Sequence, residues 1–397
     1  MAALRRAFGR FLWLWLPALA IFLAGLRRAW LTGQTDPWDW SIVAALVLAG
    51  VGLLRRRDDA AFIWVALGSA GTALIFCALA AGRPPEVSAA VGLVAVALAA
   101  TFTGARLRSI VGLGLLALTA LLLWRGPSQP VQPVPDRPGL IVVTALPLFW
   151  DEEGRRRDAP ILTLLRTRFT VGPLDDPTQL PERGARRLLL AQPRALTPAQ
   201  LVAIDRWVRA GGRALVLADP MLRWPSDLPI GDRRRPPATS LLDPILARWG
   251  FAPGVQEGAE IRRFLGTGAL LTLSGAYRDT PVTRRVGNGT VTLLGDADAI
   301  DDRLWLADPA RPLDPRVWSA DTPALLVRWL DGAPVAERRW MRDLPDVLAG
   351  VRAALLAGTI WAVMGALLLP RILALFQARA GPAQTKEKVK ENGWSHF

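Results

Sequence analysis

Two hydrophobic patterns divide this chain. Continuous apolar runs occupy residues 11–26, 40–54, 60–82, 87–104, 108–124 and 349–370. The longer runs match the roughly 20 residues needed to cross a hydrocarbon core, and the first two are shorter. Successive apolar runs without an internal acid or base do not suit the core of a soluble protein. They predict an α-helical membrane bundle of about five spans over residues 1–125 and a further transmembrane helix over residues 346–371. The first run is not read as a cleaved signal, because Leu26-Arg27-Arg28 offers no small-residue cleavage site and more apolar runs follow.

Between these regions the pattern changes to short runs of strand length. Leu188–Ala191 and Ala214–Ala218 are two of them. The residues between them predict a helix: Thr197 as the cap, Pro198 in the first position, and Gln200 placed to bond back to the cap backbone. Ile204, Trp207 and Val208 share one face, and Gly211-Gly212 supplies the left-handed stop. This is a βαβ unit, which implies a mostly parallel sheet covered by helices on both faces. Leu140–Ala145, Phe169–Val171, Leu270–Ser274 and Thr290–Leu294 are expected as further strands, with Asn288-Gly289 as a tight hairpin turn. Asp158–Arg168, capped by Asp158 with Pro160 in its first turn, Ser240–Trp249 and Thr322–Leu330 are expected as helices. The predicted fold is therefore a helical membrane bundle plus an α/β three-layer sandwich over residues 140–345. The proline-rich stretch 126–139 is expected to act as a semi-rigid spacer between them.

Charge adds an orientation. Arg5, Arg6 and Arg10 precede the first span, Arg55–Arg57 follow the second, Arg106 and Arg108 follow the fourth, and Arg371 and Arg379 follow the last. By the positive-inside rule both termini are cytoplasmic and the α/β region faces away from the cytoplasm. Trp13, Trp30, Trp38, Trp40 and Trp124 lie near span ends and are expected to be interfacial aromatics. The formal net charge of +14 is concentrated in loops and tail beside the membrane, where anionic lipid attracts it. No basic stripe with interleaved aromatics appears, so no nucleic-acid partner is expected. The tail, residues 372–397, holds Lys386, Lys388, Lys390 and His396 and is compositionally unlike the rest.

Several ordered blocks resemble a known family. LLLAQP, a capped helix ending in AGG, ALVLADP and SLLDPILARWGF look like the GldG-like auxiliary subunits of ABC-type transport systems. RVGNGTVTLLGDADAIDDRLW, from Arg285 to Trp305, resembles the same family's glycine turn, buried strand and acidic end. The resemblance spans residues 140–305. It implies a soluble domain similar to flavodoxin-like and class I amidotransferase-like sandwiches, and an ABC ATPase subunit and a permease subunit as partners. The apolar bundle preceding the soluble domain departs from the family pattern.

The inventory of reactive side chains is short. Amidotransferase-like chemistry needs a Cys activated by His, but the chain has one cysteine, Cys77, inside an apolar run, and one histidine, His396, in the tail. Cys77 is expected to be a packing residue. With no Cys or His between residues 140 and 345, a zinc site is excluded. No phosphate-binding GxxxxGK[ST] loop occurs, so the chain is not the ATPase. No catalytic residue, metal or cofactor is expected. Candidate ligand- or partner-binding residues are Asp219, Asp296, Asp298, Asp301 and Asp302, all near the carboxyl ends of expected strands, where α/β sheets hold ligands. These carboxylates suit a divalent cation bound through oxygen, or acid–base work in hydrolysis, and equally helix capping and turn formation, which is the expected role.

The sequence thus points to a non-catalytic auxiliary or permease-like subunit of an ABC-type export or envelope-assembly system. It is expected in the bacterial inner membrane, multi-pass, with a periplasmic α/β domain that binds substrate or an envelope protein. The alternatives are a membrane-anchored hydrolase using the aspartate cluster, and an envelope scaffold without transport.

Overall fold

The computed structural model describes residues 2–54, 59–251, 256–257, 260–266, 268–274, 276–277 and 281–379. Arg55–Arg57 and the lysine-bearing tail with His396 lie outside the described residues. Two compact units are formed, one by Met1–Pro127 with Met341–Phe397 and the other by Ser128–Trp340.

In the first unit every apolar run seeds a helix: α1 (Ala2–Thr32), α2 (Trp38–Leu54), α3 (Asp59–Ala80), α4 (Val87–Arg106) and α5 (Ile110–Arg125). α1 is far longer than its apolar run and continues past Arg27-Arg28. There the Arg28 guanidinium meets the Asp39 carboxylate at 2.6 Å, which offsets the charge next to the next helix. α2 and α4 approach backbone to backbone. A side chain on Gly52 would collide with the Thr101 carbonyl, and one on Gly104 with the Ala49 carbonyl. Small residues at such crossings are how helices associate where lipid removes the hydrophobic drive. Cys77 is a buried packing residue of α3. Trp30 and Trp124 are exposed, as interfacial aromatics would be, but Trp40 is not. It is fully buried, donates from Nε1 to the Phe22 carbonyl at 3.3 Å, and packs on the Phe76 ring.

The second unit is built on a six-stranded sheet of order β2-β1-β3-β4-β10-β9. Its strands are β1 (Gly139–Thr144), β2 (Thr170–Pro173), β3 (Arg187–Ala191), β4 (Arg213–Leu217), β9 (Val282–Val286) and β10 (Gly289–Leu294). Four short strands, β5 (Gln256–Glu257), β6 (Ile261–Phe264), β7 (Leu270–Leu273) and β8 (Ala276–Tyr277), form the pairs β5-β8 and β6-β7. All neighbours in the six-stranded sheet are parallel except the edge strand β9. The five parallel strands follow the flavodoxin-like order.

Alternation along each strand feeds two separate cores, which is what makes the sandwich three-layered. Leu140, Val142, Leu189, Ala191, Leu215 and Leu217 enter a core with helices α6 (Pro160–Leu165) and α10 (Thr322–Trp329). Ile141, Val143, Leu188, Leu190, Ala214 and Val216 enter the opposite one with α7 (Pro198–Arg209) and α8 (Asp243–Arg248). α7 carries the expected capping box: Gln200 N–H donates to Thr197 Oγ1 at 3.3 Å, and Thr197 N–H donates to Gln200 Oε1 at 2.9 Å. Gly211 stops it with φ of 117°.

Three local expectations are corrected. α6 is capped by Ala159 without a side-chain bond, and Asp158 instead pairs with Arg166 at 2.6 Å. The hairpin turns at Gly287, with φ of 60°, and not at Asn288-Gly289; Gly289 already pairs with Val286 in the sheet. Gly289 is needed because a side chain there would strike the Val208 carbonyl. From Ser128 on, the proline-rich stretch is no free spacer. Val131 N–H donates to the Leu313 carbonyl at 2.7 Å, Val134 N–H to Thr167 at 3.0 Å, and Arg168 Nη1 to the Gln132 carbonyl at 2.7 Å. Valines between the prolines supply the donors that proline lacks.

The chain returns to the first unit as α11 (Leu344–Arg379). Trp64 of α3 and Trp361 of α11 clasp each other: each indole N–H donates to the other's backbone carbonyl, at 2.9 and 2.8 Å, and the rings stack 4.4 Å apart. Leu4–Thr32, α3, α4 and Leu344–Arg371 are long and apolar enough to cross a membrane; α2 and α5 are shorter apolar helices.

Candidate functional site

Strand register brings two of the candidate carboxylates together. In the parallel pair β4–β10, Leu217 lies opposite Leu294. Asp219 and Asp296 each come two residues later, so both side chains keep the face that their leucines present to one core. Both are fully buried. Asp298 follows at the start of a short 3-10 turn, Asp298–Ile300, and is also buried. One carboxylate oxygen from each of Asp219, Asp296 and Asp298 lies within 4.8 Å of the other two.

Backbone N–H groups supply the hydrogen bonds here. Asp219 Oδ1 accepts from Met221 N at 2.8 Å, and its Oδ2 accepts from Ala297 N at 2.9 Å and Asp298 N at 3.4 Å. Asp296 Oδ1 accepts from Ala299 N at 3.1 Å, and its Oδ2 from Ser274 N. Asp298 Oδ2 accepts from Arg223 N at 2.6 Å, while its Oδ1 has no partner. Among the described residues, no arginine side chain donates to these three carboxylates.

Burial therefore dominates their acidity. It raises the Asp219 carboxyl above its ordinary value against the opposing backbone bonds. Burial, then the charge of Asp219, pushes Asp296 up to about 8. Burial likewise pushes Asp298 up to about 6. Neighbouring buried carboxyls of this kind titrate as a coupled group rather than one by one.

Asp301 and Asp302 stand apart from this group. Asp301 caps the helix α9 (Asp302–Trp305) by accepting from Arg303 N at 3.0 Å, and its charge is met by the Arg303 guanidinium at 2.6 Å. Asp302 has its acidity weakened by burial and by the neighbouring Asp301.

Two residues outside the sequence candidates complete the site. Ser274, just past β7, is 6% exposed, and its hydroxyl has no hydrogen-bond partner. Gln192, just past β3, is fully buried with φ of 41°. A non-glycine residue with positive φ is uncommon, and proline follows it, a context that favours extended backbone. Sequence reasoning had no signal for Ser274, whose position depends on where β7 docks. For Gln192 the visible mark in the sequence is the Gln-Pro pair that follows an apolar strand.

A hydrolase using the aspartate cluster requires its carboxylates to converge; Asp219, Asp296 and Asp298 do so, and Asp301 and Asp302 do not join them. All three are shut off from solvent in this structure, and Ser128–Trp340 contains no Cys, His or Lys.

Residues 137–252 match the model of a family described as an ABC-type uncharacterized transport system. The match runs from β1 through α8 and thus covers Asp219; the segment with Asp296 and Asp298 lies beyond it. No curated protein matches the chain, and no solved structure does.

Proposed function

We propose that this chain is a GldG-like, non-catalytic auxiliary subunit of an ABC-type export or envelope-assembly system, with an inner-membrane helical unit and a periplasmic α/β unit. The observation that carries this reading is the family match over residues 137–252, in a unit preceded and followed by helices apolar enough to cross a membrane. The absence of Cys, His and Lys from Ser128–Trp340 supports a role by contact rather than by covalent chemistry. The arginines flanking the apolar helices favour cytoplasmic termini. An ATPase partner on the cytoplasmic side drives motion, a permease partner shares the membrane, and the α/β unit engages substrate or an envelope protein.

Affinity purification of the full chain from its native membrane in mild detergent tests this. Recovery of an ATPase and a permease subunit at comparable amounts is expected, and recovery of the chain alone overturns the reading. The convergence of Asp219, Asp296 and Asp298 favours one second reading, a membrane-anchored hydrolase. That reading requires the three to become solvent-accessible. Unchanged co-purification and unchanged transport-linked growth in Asp219→Asn would argue against it.

A further inference from the structure

We propose that Asp219, Asp296 and Asp298, joined by the Ser274 hydroxyl, bind a hard divalent cation of the calcium or magnesium kind at the carboxyl ends of β4 and β10. Three observations lead there. The carboxylate oxygens lie within 4.8 Å of one another, the spread expected of ligands around an ion with oxygen distances of about 2.1–2.6 Å. The donors are oxygen only, which selects calcium, magnesium or manganese over zinc or copper.

The third observation does not depend on the carboxylates being grouped. Ser274 Oγ is buried without a hydrogen-bond partner, as is Asp298 Oδ1. Buried polar atoms are normally satisfied, and an orphaned pair beside an acidic group calls for a missing partner. Ser274 is tied to the cluster through its own N–H, which donates to Asp296 Oδ2. Its hydroxyl lies beside Asp296 and Asp298 but outside hydrogen-bonding geometry with either. A cation at this point supplies the partner for both orphaned oxygens and neutralises carboxylates to which no guanidinium among the described residues donates a hydrogen bond. Asp301 is excluded from the ligand set because Arg303 already neutralises it.

The expectation of no metal rests on the capping and turn roles open to the same carboxylates; the lack of Cys and His argues only against zinc and not against an oxygen-bound ion. The inference is independent of the transport reading, since an auxiliary subunit works by contact with or without an ion. Loss of the ATPase in purification and loss of ion binding are separate failures.

The test uses the full chain in detergent, stripped with EDTA and equilibrated separately with calcium, magnesium and manganese chloride. Elemental analysis after desalting is expected to find about one ion per chain for at least one of the three. Titration calorimetry on Asp298→Asn is expected to show affinity for that ion weakened about tenfold or more. Should Asp298→Asn fail to fold, Ser274→Ala decides, because that hydroxyl holds no other hydrogen bond. Retention of none of the three ions overturns the proposal. So does wild-type affinity in the folded variant.

Discussion

Gln192 grips the backbone of Asp219 from both sides. Its Oε1 accepts from Asp219 N–H at 2.9 Å, and its Nε2 donates to the Asp219 carbonyl at 3.3 Å. A side-chain amide thus continues the β3–β4 pairing beyond Leu217, where the strand ladder ends. The same Nε2 reaches the Pro237 carbonyl at 3.1 Å, so one side chain closes the chain segment that leaves β4. The left-handed backbone at Gln192 is the strain that points the amide across, and the three hydrogen bonds hold it there.

Gln192→Ala orphans the buried Asp219 N–H, which costs about 1–3 kcal/mol, while the Asp219 carbonyl keeps its bond from Ser240 N–H at 2.7 Å. Gln192→Gly loses the same bonds but relieves the positive φ, and should be less damaging by roughly 0.5–1 kcal/mol. Chemical unfolding of both variants, followed by tryptophan fluorescence, ranks them. Equal stability would mean that the backbone at Gln192 is unstrained.

Asp205 of α7 gathers Arg209 Nε at 3.0 Å, Arg248 Nε at 2.9 Å and Trp249 Nε1 at 2.9 Å. Burial alone would raise its carboxyl, but the bonds from Arg209, Trp249 and Arg248 outweigh it and hold it below the usual carboxylate range. The native state then binds a proton less readily than the unfolded chain. Its stabilising effect is complete above the unfolded value of about 3.9 and is lost as pH falls through the native value. Asp205→Asn should cost about 1–2 kcal/mol near neutrality, limited by the exposure of both guanidiniums. Melting curves across the acid range should show the gap to wild type closing on acidification; a widening gap would contradict the assignment.

Substitutions at the α2–α4 crossing should separate along structural lines. Gly52→Ala and Gly104→Ala put a methyl against a carbonyl of the facing helix, and are expected to destabilise by roughly 1–3 kcal/mol. Gly50→Ala meets nothing within 4 Å and should be neutral or stabilising by up to about 1 kcal/mol through helix propensity. Thermal aggregation in detergent distinguishes them, and similar behaviour of all three would refute the close approach.

The orientation is open to labelling because Cys77 is buried and gives little background. Ile230, on the loop after β4, is 92% exposed. Ile230→Cys should react with a membrane-impermeant maleimide while the inner membrane is sealed. Reaction only after lysis would reverse the orientation proposed for the α/β unit.

What the sequence made legible was local or periodic. The α7 capping box, its Gly211 stop and the apolar strands are fixed by near neighbours. The pairing of Asp219 with Asp296 follows from both ending apolar strands of one parallel sheet. What escaped it depends on distant contacts. Ser274 joins the site only because β7 delivers it there, and Trp40, near the start of an apolar run, is buried because Phe22 and Phe76 enclose it. The turn falls at Gly287 rather than at Asn288-Gly289, because the glycine at 289 serves the close approach of Val208, a contact invisible along the chain. Val131 and Val134 found carbonyl partners on elements far along the chain, so a proline-rich composition misled.

The clasp between Trp64 and Trp361 sets an order on biosynthesis. A ribosome delivers α3 early and α11 only after all of Ser128–Trp340 has emerged. Through that interval the α3 surface that will receive Trp361 stays without its final neighbour, and a holding factor or the lipid itself must cover it. Truncation before Leu344 would therefore leave the first helices unfinished, however well the α/β unit had formed.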